Sequence, residues 1–128
     1  MSRTFQAAVV LLLLCVSCAC TKQATSNENL QKIEFDLGQI DADGLRGPHD
    51  GKVAVAYEFC IPDTEACKAE VKAIDHTVQF MPGSRGRIGA GRDECLCIGS
   101  THQKNYRSVL HALAKLTYIE RIIECYFE

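Results

Sequence analysis

Three cysteines and three arginines are the residues of this chain whose types and spacing could do chemistry. Cys95-Leu96-Cys97 sets two thiols at alternate positions, and Cys60 lies near the end of a segment in which every second residue is apolar. Thiols brought into register could close a disulfide, stay reduced, or hold a soft metal, which favours thiolate ligands. All three outcomes are open at this point. Gly83-Ser84-Arg85-Gly86-Arg87-Ile88-Gly89, with Arg92 close behind, gathers guanidinium forks and glycine-exposed backbone amides. Such donors suit a carboxylate or a phosphate. Arg85, Arg87 and Arg92 are therefore candidates for binding a small anionic ligand or an acidic patch on a protein partner. The loop lacks the Gly-Lys-Ser/Thr of a phosphate-binding P-loop and leads into a strand rather than a helix. Ser100-Thr101-His102 could pair a nucleophile with a base, but helix capping explains the hydroxyls more simply. Asp41-Ala42-Asp43-Gly44 lacks the further acids of a calcium loop and reads as a turn. No catalytic residue, metal site or cofactor is assigned, and a binding role is favoured over an enzymatic one.

The elements that must position these residues are legible as periodicities. Residues 52–61 alternate, with Val53, Val55, Tyr57, Phe59 and Ile61 on one side and Ala54, Ala56, Glu58 and Cys60 on the other. Thr64 and Glu65 supply helix-start chemistry for an amphipathic helix over 64–75 with Cys67, Val71 and Ile74 inward. Short alternation over 77–81 predicts a second strand, and 94–99 a third with Leu96 and Ile98 inward. A second helix over 104–116 carries the stripe Tyr106, Val109, Leu110, Leu113 and Leu116. Residues 118–127 close the chain as a strand with Ile119, Ile123, Cys125 and Phe127 inward. Ile33, Phe35 and Leu37 allow an extra edge strand before this series.

The order β-α-β-β-α-β resembles the ferredoxin-like fold, an α+β sandwich. That resemblance implies a four-stranded antiparallel sheet in the order 4-1-3-2, two helices on one face and the other face open. Strands one and three are then neighbours, which brings Cys60 near Cys95 or Cys97 with all three thiols on the open face. Copper-handling domains of this fold carry Cys-x-x-Cys after the first strand; here six residues separate Cys60 from Cys67, so their metal chemistry does not carry over. Subtilisin-type propeptides share the topology, which implies a stand-alone protease inhibitor as one alternative function. Thiol-redox or soft-metal handling by Cys60, Cys95 and Cys97 is another.

Length and charge bound these readings. A chain of 128 residues with 47% hydrophobic content forms one small domain, over 30–128. A net charge of −2 gives no case for nucleic acid. Ahead of the domain, Arg3 precedes an apolar stretch about ten residues long, the proportions of a signal peptide over 1–19. Ser17-Cys18-Ala19-Cys20 follows, and a small residue before a Cys after a leucine-rich segment resembles the lipobox of bacterial lipoprotein precursors. The resemblance implies that Cys20, or alternatively Cys18, becomes an acylated N-terminus, with 20–29 serving as anchor and polar tether. Ser17 stands where that family places Leu. The expected location is the surface of the cell membrane or outer membrane, or the periplasm or exterior if no lipid is attached.

Overall fold

The computed structural model describes residues 27–126. The segments read as signal peptide and lipidation site, with Cys18 and Cys20, lie outside the described residues. A helical turn over 27–30 (α1) opens the described chain where a tether is expected. After a short 3-10 turn (Leu37–Gln39), eight strands and helices follow: β1 (Leu45–Arg46), β2 (Val53–Ala54), β3 (Ala56–Pro62), α2 (Glu65–Ile74), β4 (Gln79–Met81), β5 (Glu94–Ser100), α3 (Tyr106–Lys115) and β6 (Ile123–Glu124). The fold is α+β. Four strands form an antiparallel sheet in the order β4-β5-β3-β6, and β1 and β2 make a separate hairpin.

The expected sheet order is the observed one; several boundaries are not. The first strand is interrupted at Val55, whose N–H is taken by the Thr101 hydroxyl at 2.9 Å instead of a ladder carbonyl. The closing strand is only two residues long. No strand forms over 31–37; Ile33 makes one isolated parallel bridge to Ile122, and the additional sheet is the β1-β2 hairpin.

Register sets the two faces of the sheet. Phe59 pairs with Cys97, Ile61 with Cys95 and Tyr57 with Gly99, so these residues share a face, and alternation puts Glu58, Cys60, Leu96 and Ile98 on the other. Tyr57, Phe59, Ile61, Cys95 and Cys97 are fully buried. Val71 of α2 and Tyr106, Leu110 and Leu113 of α3 join them in one apolar cluster. Each such large side chain contributes roughly 1.5–3 kcal/mol by leaving water. Thr64 caps α2 by accepting from the Cys67 N–H, and Lys32 closes the far end of α3 by donating to the carbonyls of Ala114 and Leu116. Asn105, in the left-handed conformation, stands at the start of α3 where Ser100 or Thr101 is expected. Among the described residues no helix is long and apolar enough to cross a membrane.

Candidate functional site

The sheet's second face is not open. Residues 82–92, the glycine-arginine segment, fold back over it as a strap instead of projecting into solvent. Gly89 and Ala90 both donate to the Arg85 carbonyl, at 3.0 and 2.7 Å, which ties the two legs of the strap together. The Ile88 N–H donates to Glu58 Oε1 at 2.7 Å. Gly86 has φ +62°, and a Cβ there would overlap the Leu96 methyls and stand 3.0 Å from Glu58 Oε1. Only glycine lets the backbone come this close. Glu58, expected to be solvated, and Leu96, expected on the core face but placed on this one by register, are consequently each 2% exposed.

This seating divides the three arginines. Arg85 and Arg92 line one groove of about 490 Å³ with Gly83, Gly91, Asp63 and Glu94. Neither guanidinium makes an ion pair among the described residues. The two carboxylates are partly engaged elsewhere: Asp63 pairs with Lys68 at 2.9 Å, and Glu94 accepts the Gly91 N–H at 2.9 Å. Arg87 lies apart, with its guanidinium 5.2 Å from the centre of the Tyr126 ring, in a second cleft with Arg46, Arg121 and Glu124. Two of the three candidate arginines are thus brought together and the third is not.

The thiols separate differently from expectation. Cys60 sits beside the 95–97 segment, since its ladder partner is Leu96, but its side chain is on the strap face while Cys95 and Cys97 are on the core face. The shared open-face cluster is therefore corrected: the central sheet lies between Cys60 and the other two, and all three are free thiols. Burial, then the Cys95 and Cys60 thiols nearby, push the Cys97 thiol far up. Burial, with the charges of Glu94 and Glu58, raises Cys60 to about 11. Both shifts disfavour the thiolate, the form that attacks in thiol exchange. Among the described residues no group of three His, Cys, Asp or Glu side chains could hold a metal ion. Cys67 packs against the core as expected. Cys125, expected inward, lies on the strap face, where burial and a hydrogen bond to Glu58 raise its thiol to about 11.

The hydroxyls before His102 are used by the backbone. Ser100 Oγ accepts the His102 N–H at 3.1 Å, and Thr101 is fully buried, donating to the Gly44 carbonyl. No nucleophile-base pair results. Asp41, similarly, accepts from the Asp43 and Leu45 amides and from Lys52, the turn expected of it.

Sequence reasoning missed one buried polar constellation. Asp75, fully buried at the end of α2, accepts from the Tyr57 hydroxyl at 2.5 Å, from the Thr77 N–H and hydroxyl at 2.9 and 2.6 Å, and from Gln103 Nε2 at 3.1 Å. Gln103 also donates to the Ser100 carbonyl, and the Ser100 N–H to the Thr77 hydroxyl. Burial and the Asp75 charge push the Tyr57 phenol far above its ordinary value. Asp-x-Thr directly after a helix was the available signal, because that spacing suits a side-chain turn. Sealed from solvent and fully bonded, the group joins β3, the end of α2, β5 and the approaches to β4 and α3. Comparison with protein-family models, curated proteins and solved structures finds no match to this chain.

Proposed function

We propose that the chain is an exported, lipid-anchored binding protein whose ferredoxin-like domain holds a carboxylate or phosphate group between Arg85 and Arg92. The supporting observation is that two guanidiniums with no ion-pair partner among the described residues line one groove between the legs of a glycine strap, beside Asp63 and Glu94. Arginine forks bind planar and tetrahedral oxyanions through paired N–H donors, and a groove lowers the cost of aligning them. Export and acylation rest on the apolar leader and the small residues before Cys20, with Cys18 as the alternative. A lipid there would hold the groove near a membrane surface, facing partners or ligands at that surface.

Two measurements test the two parts. Titrating the protein with inorganic phosphate, while following the backbone amide resonances of Gly83 and Gly91 in the groove, should give saturable shifts that vanish in the double variant R85A/R92A. Equal shifts in wild type and double variant would refute the groove. Mass spectrometry of the membrane fraction should find an N-terminus at Cys20 or Cys18 carrying acyl chains; an unmodified N-terminus would refute the anchor.

A further inference from the structure

We infer that the strap is a latch: Glu58 holds it seated on the sheet and thereby assembles the Arg85–Arg92 groove, which comes apart when the strap lifts. The inference rests on the groove reading above and adds its regulation. The groove's walls are the two legs of the strap, and the legs are tied to one another at the Arg85 carbonyl. That tie closes a turn over 85–90 whose apex, 86–89, rests on the sheet, so the spacing of the legs depends on the seated apex. The turn is seated on the sheet at its apex. Among the described residues its backbone-to-backbone hydrogen bonds stay within 81–94, apart from that of Asp63 with Asp93 at its base. The apex is held by the Ile88 N–H on Glu58, by Gly86 against Leu96, and by Arg87 over Tyr126.

The energetics of these holds oppose each other. Burying a carboxylate is costly unless donors replace its water, and Glu58 gains the Ile88 amide and the Cys125 thiol. Lifting the strap rehydrates the Glu58 carboxylate, which favours opening, but breaks its hydrogen bond from the Ile88 N–H and exposes Leu96, both of which favour closing. Opposed contributions of this kind make a two-position element, and Gly83 and Gly89, both at φ +81° with open space around them, are suited to hinge it. Glu58 makes no ion pair with Arg85 or Arg92, so it acts on the groove as a positioning residue. Coupling is reciprocal: an anion that favours the seated strap must also protect the Ile88 amide.

The test uses the full chain and inorganic phosphate, with two readouts: phosphate affinity and hydrogen exchange at the Ile88 amide. Gly86→Ala and Glu58→Leu should each speed Ile88 exchange and weaken phosphate binding about tenfold, an ordinary coupling, while the thermal midpoint stays near that of wild type. Glu58→Gln, which keeps an acceptor oxygen, should restore both. In wild type, phosphate should slow Ile88 exchange. Wild-type affinity in Glu58→Leu, or Ile88 exchange unchanged by either variant, would overturn the latch. Should wild type bind no phosphate, the groove reading fails, and Ile88 exchange in the two variants still decides whether the latch stands.

Discussion

Two carboxylates are buried in this small domain, and they are held in opposite ways. Asp75 accepts from four donor groups drawn from Tyr57, Thr77 and Gln103, and is fully enclosed. Glu58, equally hidden, accepts one backbone N–H from a loop and faces one thiol. The first is satisfied from several elements at once, so releasing it means parting β3, α2, β5 and the approaches to β4 and α3. The second is satisfied by one backbone amide of a loop laid over the sheet. The number and origin of donors, more than depth of burial, separate a permanent joint from a releasable one.

Breaking the Asp75 joint should give the largest effect. A Cβ at Gly99 would overlap both the Tyr57 ring and Asp75 Oδ2. Gly99→Ala should therefore cost about 3 kcal/mol or more in denaturant unfolding, and Tyr57→Phe about 1–2 kcal/mol through loss of one charge-assisted donor. A Gly99→Ala variant as stable as wild type would show that Asp75 is not a joint. Gly86→Ala, placed under the strap, should leave the unfolding midpoint almost unmoved, and that contrast is the sharper result.

A third carboxylate extends the comparison to the surface, with a smaller effect. Glu124 of β6 pairs with Arg46 of the hairpin, which holds its carboxyl below the ordinary value of 4.5. A lowered folded value means that the stabilisation is complete above about pH 4.5 and is lost as the pH falls through the folded value. Stability of Glu124→Gln and wild type should differ modestly at neutral pH and converge below that range. Parallel curves at every pH would remove the pair from the stability of the domain.

These contrasts also mark what the sequence could disclose. Element order and sheet order were legible because β3 alternates cleanly and both helices carry apolar stripes. The faces of β5 were not, because Cys95-Leu96-Cys97-Ile98 is apolar on both parities, so period two cannot say which row is inward. Register decides it, since Gly99 leaves space for Tyr57 and thereby sends Cys97 and Cys95 to the core. Glu58 looked like a solvated position because nothing local tells that a polar, glycine-rich segment starting 24 residues later folds over it. That Arg85 and Arg92 line one groove follows their closeness in sequence, while the departure of Arg87 towards Tyr126 is a property of the seated strap. The Asp75 group draws on positions 57, 75, 77 and 103, a spread that no short motif can reveal.

The most direct test of the difference between joint and latch is native-state amide exchange of the full chain in increasing denaturant. The Thr77 and Ser100 amides, bonded within the Asp75 group, should exchange only through global unfolding, with its full denaturant slope. The Ile88 amide should exchange through a local opening, at lower free energy and with almost no slope. If Ile88 instead shares the free energy and slope of Thr77 and Ser100, the strap is part of the core and the distinction between the two carboxylates fails.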